Sequence, residues 1–593
     1  MRITHIQYIT FFMKFYLRIN SFFMNFVSHL NSETRFCNMK KIRIITIAIL
    51  ITLCNFTMAQ PGPVKNAAKS VFTLTTFKDD GSILASSHGV FIGNNGEAIS
   101  ELKPFIGAKS AVVIDSKGTK MDVTRMLGAN NIYNVAKFRV NGKTTPAAIA
   151  TNPSVTGAQA WLVGYALKSP EIKQTSIKSV EKFMDKYSYY IFGANAQDNT
   201  SACPFVNSKG EIIGLMQSST TSNDTHATDA RYINSLSVNG MSCNEDAFRQ
   251  TGIPMALPTD QTQATLALMM IGQNNDSTKY SAAIDDFISL FPNLTDGYTA
   301  RANVALAEKR TDIAAENMET AIKKADKKAD AHYNYGRMIY NNIMYNNIQH
   351  DGWTLDRALE EANTANEMTP TPLYKHLQAQ IIFSKGDYQK AHDMFMDLTK
   401  TSFDNPELYY EAAQCKQMLN APNNEILVLL DSAINRTDTL NMADAAPYFL
   451  MRAGVYEKEG KYRLAVFDYT RYEIVLGGNV THDFYYIREQ AEVKAKLYKQ
   501  ALIDINVAIL MNPQEPIYHA EKASLLLRVN KIEDAIANAE QSIKVAPDYA
   551  EGYTLIGIGQ IRLGKKKEGL ENLKKAKELG SEQAQALIDK YSK

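Results

Sequence analysis

The chain has 593 residues, which is enough for two or more domains, and its apolar fraction of 45% is ordinary for a globular protein. The formal net charge is only +2. Binding to nucleic acid usually needs a strongly basic face, so we expect no nucleic-acid partner.

The segment that begins at Met39 has the pattern of a secretory signal, in which basic residues precede the apolar run Ile44–Cys54. That run is about ten residues long, which is too short to span a bilayer comfortably. Small residues at Thr57 and Ala59 place the expected cleavage after Ala59. We therefore interpret residues 39–59 as a signal peptide and expect a protein of the periplasm or cell envelope, or a secreted one. We expect no membrane span in the mature chain.

Residues 1–38 precede this complete signal and contain two Phe-rich apolar stretches. We interpret them as an overextended start that is not part of the mature protein, with synthesis beginning at Met39. The alternative is a first membrane segment, and Lys14 and Arg18 count against it because they interrupt the apolar stretch.

After removal of the signal, three cysteines are left: Cys203, Cys243 and Cys415. Three cysteines do not make a disulfide framework. A bridge between Cys203 and Cys243 is one option in an oxidising compartment. Cys415 lies in a helical pattern, so we expect it to pack as a small apolar residue.

Residues 66–245 contain many short runs of β-branched and aromatic residues, among them "SVFTLTTF", "HGVFIG", "SAVVID" and "QAWLVGY". Turn sequences such as "DDGS" and "GNNGE" separate them. Many short strands at this spacing predict a β-sandwich or a pair of barrels. Residues 246–262 carry two prolines and several polar residues, and we interpret them as a linker.

Residues 263–593 are helical in pattern, and small residues recur in them at 34-residue steps, as in 302→336, 379→413 and 523→557. The first small residues of the units are Ala302, Gly336, Ala379, Ala413, Ala453, Ala523 and Gly557. Small side chains are needed where two helices cross closely. The period resembles the tetratricopeptide repeat, which stacks helix–turn–helix units into a solenoid. We count about eight units and a partial one at 263–292.

The stretch 198–215, "DNTSACPFVNSKGEIIGL", places Ser201 before a Pro–apolar pair, a turn and an apolar strand. It resembles the nucleophile segment of trypsin-like serine peptidases of bacterial envelopes. The resemblance implies a chymotrypsin-like double β-barrel with a Ser–His–Asp triad. In "GEAISELKPF" (96–105) Lys103 stands at the family's His position, and in "NVAKFRV" (134–140) Asn134 stands at its Asp position.

These exchanges predict a catalytically inactive domain in which Lys103, Asn134 and Ser201 mark the remnant triad. A protonated lysine cannot accept the serine proton, and Asn134 has no histidine to orient. Three further residues replace glycines of the family: Asn199, Ala202 and Cys203. A Ser201–Lys103 dyad is an alternative that requires a buried lysine of lowered pKa. We expect His88 and His226 to lie on the surface or in loops.

The repeats predict a concave groove lined by side chains of the first helix of each unit. Aromatic rings interleaved with amides suit an extended peptide, although tyrosines in such repeats also pack between helices. The groove candidates are Tyr333, Arg337, Tyr340, His376, Gln380, Phe383, Tyr410, Gln414, Tyr486 and Gln490. The sequence has no glycine-rich phosphate loop, no H-E-x-x-H and no paired C-x-x-C, so we expect no cofactor and no metal.

The sequence therefore predicts a multidomain protein with an all-β double barrel followed by an all-α repeat solenoid. The function that fits best is an exported scaffold or adaptor that holds a protein or peptide partner, with the oligomeric state left open. One alternative is an active serine endopeptidase whose repeats recruit substrates. Another is a purely structural β-domain that caps the first end of the solenoid.

Overall fold

The computed structural model describes residues 60–592 except 168–169, 185, 194–199 and 219–223, and the isolated positions Arg18 and Ser21. The predicted signal peptide and almost all of residues 1–38 lie outside the described residues. The chain divides into two compact units, Met1–Leu290 and Phe291–Lys593, which we call the β-unit and the repeat unit.

In the part of the β-unit that the structure describes from Gln60 onward, a short helix, α1 (Gly62–Ala67), precedes twelve strands. The first six are β1 (Val71–Phe77), β2 (Ile83–Phe91), β3 (Glu97–Ser100), β4 (Ser110–Ile114), β5 (Lys120–Asn130) and β6 (Val135–Val140). The next six are β7 (Gln159–Val163), β8 (Ile172–Phe183), β9 (Tyr187–Phe192), β10 (Pro204–Val206), β11 (Ile212–Ser218) and β12 (Thr225–Asp229).

The strands form two closed antiparallel barrels of six strands each, which confirms the predicted double β-barrel. The strand order is β1-β2-β3-β6-β5-β4 in the first barrel and β7-β8-β9-β12-β11-β10 in the second, so the same order occurs twice. Closure comes from the pairing of β1 with β4 and of β7 with β10. Among the described strands, this closure leaves no open sheet edge for another chain to pair with.

Each barrel is filled by aromatic and branched side chains that alternate with outward-facing polar ones along the strands. In the first barrel the ring of Phe72 lies 4.6 Å from that of Phe91, and both side chains are buried. In the second barrel the rings of Phe192 and Phe205 stack at 3.8 Å. These cores fix the strand ends from which the polar residues of the candidate site project.

The segment predicted as a linker contains a short helix, α2 (Asp246–Arg249), and then lies against the first barrel. The amide of Met126 donates to the carbonyl of Pro254 at 2.9 Å, and the amide of Ala256 donates to the carbonyl of Met126 at 2.9 Å. Two helices, α3 (Gln261–Gln273) and α4 (Ser277–Leu290), complete the β-unit. They include the residues that the sequence assigns to the partial repeat.

The repeat unit is an array of helix pairs. Its described helices are α5 (Thr295–Ala307), α6 (Thr311–Lys324), α7 (Lys328–Asn341), α8 (Leu355–Met368), α9 (Pro372–Ser384), α10 (Tyr388–Leu398), α11 (Pro406–Met418), α12 (Asn423–Arg436), α13 (Ala446–Lys458), α14 (Tyr462–Val475), α15 (His482–Lys494), α16 (Tyr498–Met511), α17 (Pro516–Arg528), α18 (Ile532–Val545), α19 (Ala550–Arg562), α20 (Lys566–Glu578) and α21 (Ala584–Ser592). In this described part α5 to α20 form eight pairs, the number that the small residues predict, and α21 follows them.

Helix starts and close crossings follow from local sequence. The hydroxyl of Thr371 accepts a hydrogen bond from the amide of Tyr374, and Pro372 occupies the first turn, where its missing N–H is not needed. At the crossing of α7 and α8, a Cβ added to Gly336 would lie 2.9 Å from the carbonyl oxygen of Ala358. The helices can approach only because that position is small, as the sequence predicts.

Two consecutive helix pairs contain an arginine in the same arrangement, half-buried at Arg452 and buried at Arg488. Arg452 on α13 hydrogen-bonds both oxygens of Asp468 on α14, at 2.8 and 2.7 Å, and also reaches an acid of the preceding pair, Asp431, at 2.5 Å. Arg488 on α15 does the same with Asp504 on α16, at 2.6 and 3.0 Å. Its acid from the preceding pair is Glu473, at 2.6 Å.

Among the described helices, none combines the length and the apolar character that crossing a membrane requires.

Candidate functional site

Ser201 lies in the turn before β10, and its hydroxyl meets a carboxylate of the first barrel. Its Oγ donates a hydrogen bond to Oε1 of Glu101 at 2.7 Å. Glu101 directly follows β3, and the same Oε1 accepts a hydrogen bond from Oγ of Ser87 at 2.5 Å. The other oxygen, Oε2, accepts from Nδ2 of Asn134 at 3.1 Å. We call these four residues the Glu101 cluster, and it joins the two barrels.

Two of the three predicted triad positions therefore meet, but through a residue that the sequence analysis did not single out. Oδ1 of Asn134 accepts a hydrogen bond from the backbone amide of Lys103 at 2.8 Å. Lys103 itself is exposed and begins a turn of 3₁₀-helix over Lys103–Phe105. The acid that contacts Ser201 lies two residues before Lys103, at the end of the strand.

The sequence contained one signal for Glu101, which is a charged residue placed directly after a buried strand. Ser100, the last residue of β3, is fully buried. A carboxylate at that point has to find donors nearby, because leaving it without them costs more than a hydrogen bond contributes. The peptidase motif directed attention to Lys103 instead of Glu101, because Lys103 stands at the motif's His position.

The Glu101 cluster places a hydroxyl, a carboxylate and an amide in sequence. This is the arrangement of a nucleophile, a base and an orienting group. Glutamate side chains in model peptides have a pKa about two units below that of imidazole, so a carboxylate is a much weaker base toward a serine. The carboxylate here also accepts hydrogen bonds from Ser87 and Asn134. The hydrogen bonds of Glu101 link Ser201 to residues of the first barrel.

The prediction that His88 and His226 lie on the surface or in loops is wrong. His88 is on β2 and His226 is on β12, and both are partly buried. Burial lowers the pKa of His88, while a hydrogen bond with the backbone of Ser201 and the charge of Glu101 act in the opposite direction. Nδ1 of His88 has no hydrogen-bond partner in the described part of the chain. His88 is thus a neighbour of the site that the sequence analysis dismissed.

The residues that replace glycines around Ser201 fit closely. Ala202 has φ +59° and a side chain only 1% exposed, so an L-residue occupies left-handed backbone that favours glycine. Cys203 is fully buried, and burial raises the pKa of its thiol to about 12. Asn199 lies outside the described residues.

The cysteines carry no bridge. Cys203, Cys243 and Cys415 are all free and buried, so the bridge considered between Cys203 and Cys243 is wrong. Cys203 packs among the apolar side chains of the second barrel. Cys415 is fully buried in the repeat unit, and its prediction as a small packing residue is confirmed.

The first group of groove candidates lies on α7. Tyr333 is 9% exposed, and its ring is 5.0 Å from that of Tyr374. The hydroxyl of Tyr340 lies 3.2 Å from that of Ser384. Arg337 is exposed, with its guanidinium 5.3 Å from the ring of Tyr333. It borders a cleft of about 270 Å³ whose polar lining consists of Thr299, Asn303, Asn334, Arg337, Asn341 and Asn346.

The next candidates bind a buried acid. Nε2 of His376 lies 2.6 Å from Oε2 of Glu411, and Nε2 of Gln380 donates to Oε1 of Glu411 at 2.8 Å. Burial alone would lower the pKa of His376, but the hydrogen bond and charge of Glu411 raise it overall. The ring of Phe383 lies 5.3 Å from that of Tyr388. These side chains are positioned by their neighbours rather than left free.

The candidates of the fourth and sixth pairs of the repeat unit also have partners. The ring of Tyr410 is 4.9 Å from that of Tyr448, and its hydroxyl hydrogen-bonds Gln414. The ring of Tyr486 is 5.3 Å from that of Tyr518. Nε2 of Gln490 donates to Oε2 of Glu489 at 2.7 Å. The described residues contain no group of three or more His, Cys, Asp or Glu side chains arranged to hold a metal ion.

Comparison with known proteins finds no family model that matches the chain. Small glutamine-rich tetratricopeptide repeat-containing protein 2 of Saccharomyces cerevisiae is 30% identical over 89 residues, which are 15% of this chain and 26% of that protein. The Hsp70-Hsp90 organizing protein of Triticum aestivum is 27% identical over 74 residues, 12% of this chain and 13% of that protein. The chain thus spans about a quarter or less of the length of these relatives.

Among solved structures, the Rv3671c protease of M. tuberculosis in its active form is similar at 14% sequence identity and a TM-score of 0.27, covering 31% of this chain and 85% of that one. The described part of the chain thus has two closed six-stranded barrels with the same strand order, followed by a helical array that is similar over 89 residues to a tetratricopeptide repeat-containing protein.

Proposed function

We propose that this protein is an exported scaffold or adaptor in which a trypsin-like β-unit no longer hydrolyses peptides and the repeat unit binds a protein partner. The observation that carries the proposal is the hydrogen bond from Ser201 to Glu101. A serine nucleophile needs a base that accepts its proton and returns it to the leaving group. Here Ser201 donates to the carboxylate of Glu101, which also accepts hydrogen bonds from Ser87 and Asn134.

The repeat unit supports the second half of the proposal. The relatives matched by sequence are named for tetratricopeptide repeats or for organizing Hsp70 and Hsp90. Repeats of this kind present extended concave surfaces to other chains. Arg337 and the asparagine-lined cleft beside it offer charged and amide groups of the type that pair with peptide backbone. Export is supported by the signal-like segment at residues 39–59.

The test is labelling of the chain from Gln60 with a fluorophosphonate probe, which reacts with activated serines. A Ser201→Ala variant is the matched control, and a trypsin-like peptidase is the positive control. We expect no labelling of the folded protein above the Ser201→Ala background. Labelling that disappears in Ser201→Ala would overturn the scaffold proposal.

One observation favours a second candidate, a serine endopeptidase whose base is a carboxylate. The hydroxyl of Ser201 lies 2.7 Å from Glu101, whose other oxygen is held by the amide of Asn134. For this candidate Glu101→Gln has to abolish labelling as completely as Ser201→Ala. In the scaffold, restoring the family's residues by Lys103→His and Asn134→Asp leaves partner binding unchanged, because Ser201 takes no part in it.

A further inference from the structure

The last three helix pairs carry an acidic surface that the groove positions only partly anticipated. We define the acidic surface as Tyr486, Glu489, Gln490, Glu521, Tyr549 and Glu551. Residues 486, 489 and 490 share one face of α15, because positions three and four apart are neighbours on a helix. The amide of Gln490 links Glu489 to Glu521 on α17, the first helix of the next pair.

The acids of this surface form no salt bridge in the described part of the chain: no lysine, arginine or histidine pairs with Glu489, Glu521 or Glu551. The charge of the exposed Arg528 acts on Glu489 and Glu521 without such a pairing. Asp468 and Asp504 differ, because these buried acids pair with Arg452 and Arg488.

The buried side chain of Glu489 is a second, independent observation, because one of its oxygens has no hydrogen-bond donor among the described residues. Glu489 occupies the position at which the next unit has Ala523, 34 residues later, and its side chain is fully buried. Its Oε1 has no hydrogen-bond partner among the described residues. Burial, and next the charge of Glu521, raise the pKa of Glu489 to about 8. A buried carboxyl oxygen without a donor is costly, and an N–H group brought from outside would remove that cost.

A cleft of about 580 Å³ extends the acidic surface toward the end of the array. It shares Tyr549 and Glu551 with that surface and adds two acids, Asp548 and Glu582. Burial, followed by the charges of Glu551 and Glu521, raises the pKa of Tyr549 to about 12. Asp548, Glu551 and Glu582 line this one cleft, so a cation bound there would interact with more than one carboxylate.

We propose that the acidic surface and this cleft bind an extended protein segment that carries lysine or arginine side chains. The ammonium or guanidinium groups pair with Glu521 and Glu551, and the aliphatic stems lie against Tyr486 and Tyr549. Charge complementarity selects this occupant over an acidic or neutral segment. The proposal rests on the proposed function, since it names the chemistry of the partner that the repeats hold.

The test uses the chain from Gln60 and fluorescein-labelled peptides of equal length in a Gly/Ser background, carrying either four lysines, four glutamates or no charge. Binding is followed by fluorescence anisotropy at low and at physiological salt. We expect the lysine peptide to bind and the other two to bind about tenfold more weakly or not at all, with the difference shrinking as salt rises.

Two double variants make the test specific to the acidic surface. Glu521→Lys with Glu551→Lys reverses the charge of its two half-buried acids, and we expect about a tenfold or greater loss of lysine-peptide binding. Glu533→Lys with Glu571→Lys changes the net charge equally at exposed sites on α18 and α20, and we expect a change within about twofold. Glu521→Gln with Glu551→Gln repeats the loss without adding positive charge, and circular dichroism checks that each variant is folded.

Equal effects of the two charge reversals, or no binding of the lysine peptide, would overturn the proposal. Binding of the neutral or acidic peptide that is indifferent to Glu521 and Glu551 would also overturn it, yet would leave the scaffold function standing. Fluorophosphonate labelling of Ser201 would overturn the scaffold function. It would leave the binding of a basic segment at the acidic surface standing, as a means of recruiting substrates.

Discussion

Glu101 in the β-unit and Glu489 in the repeat unit are carboxylates withdrawn from solvent, but their surroundings differ. Glu101 accepts hydrogen bonds from Ser87, Ser201 and Asn134, so both of its oxygens have donors. Glu489 has one donor, Gln490, and its Oε1 has none among the described residues. Burial by itself therefore does not say what an acid does. The count of donors separates an acid that holds a structure together from one that lacks a partner.

The difference extends to the two units as wholes. In the β-unit, Lys103 and Asn134 replace two of the three triad residues that the peptidase resemblance implies, while the barrels are closed and well filled. In the repeat unit, the positions that close packing needs keep small residues in most helix pairs, and Glu489 is an acid at such a position. The four predictions that follow test this contrast, from the largest expected effect to the smallest.

Removal of the carboxylate of Glu101 tests whether an acid with hydrogen-bond donors to both oxygens stabilises the β-unit. We expect Glu101→Ala to lower the free energy of unfolding of the β-unit by about 3 kcal/mol, because three donors lose a charged acceptor at once. Urea unfolding followed by Trp161 fluorescence measures this in a Trp353→Phe background, where Trp161 is the remaining tryptophan.

Lys103→Ala is the matched control for that measurement, since Lys103 is exposed and contributes its backbone amide to the cluster. We expect it to change the free energy of unfolding by less than about 0.5 kcal/mol. Equal losses in the two variants would mean that the carboxylate does not hold the barrels together.

The pH dependence of the stability of the repeat unit tests the effect of buried acids whose oxygens are not all hydrogen-bonded. Burial raises the pKa of Glu489 and of Glu492 from the ordinary 4.5 to about 8. Between those values the folded state binds more protons than the unfolded state, so stability falls as pH rises through this window and levels off above it. We expect the fall to be about 2 kcal/mol or more.

Glu489→Gln combined with Glu492→Gln should flatten that fall, because the amides do not ionise. Urea unfolding between about pH 5 and pH 9, a range that contains most of the expected titration, measures it through Trp353 in a Trp161→Phe background. Glu533→Gln with Glu571→Gln is the control and keeps the contribution of His376, whose pKa is also raised. A fall of equal size in both double variants would contradict the assignment to Glu489 and Glu492.

Two glycines sharpen the claim that small residues in the repeats serve packing. A Cβ at Gly336 would lie 2.9 Å from a backbone oxygen, whereas one at Gly454 would meet nothing within 4 Å. We expect Gly336→Ala to destabilise the repeat unit by about 1.5 kcal/mol and Gly454→Ala to stabilise it by about 0.5 kcal/mol. Thermal melts followed by circular dichroism compare them. The same sign for both changes would refute the packing explanation.

The smallest expected effect concerns the backbone beside Ser201. Ala202→Gly relieves the left-handed conformation, and we expect a gain of about 0.5 kcal/mol in the free energy of unfolding of the β-unit. Ala98→Gly, in β3, removes an equally buried methyl group from ordinary strand backbone and should cost about 1 kcal/mol. A loss in both variants would show that φ at Ala202 carries no strain.

The sequence was sufficient for the architecture because both units repeat a simple pattern. Alternating short strands with turn residues indicated barrels, and the 34-residue steps between small residues indicated helix pairs. Each signal depends on many residues, so single exceptions such as Glu489 do not disturb it. The closure of the sheets and their common strand order depend on long-range pairing, which no local pattern records.

The candidate site could be predicted from the sequence only in part. Ser201 and Asn134 were recognised from the peptidase motif, but the carboxylate between them was not, because the motif counts positions along the chain while hydrogen bonds depend on where each side chain points. In the repeats, Tyr486 and Gln490 were predicted as groove candidates, but Glu489 next to Gln490 was not. An acid at a position that elsewhere holds alanine or glycine was the available signal.

The paired arginines of α13 and α15 bear on how the array assembles. Helix pairs that look alike can join the wrong neighbour during folding, and apolar contacts alone discriminate poorly between equivalent partners. Arg452 and Arg488 each need an acid from their own pair and another from the pair before, at Asp431 and at Glu473. A pair joined to the wrong neighbour would leave a guanidinium without one of its carboxylate partners, which is costly. The two arginines therefore favour the correct order of the helix pairs.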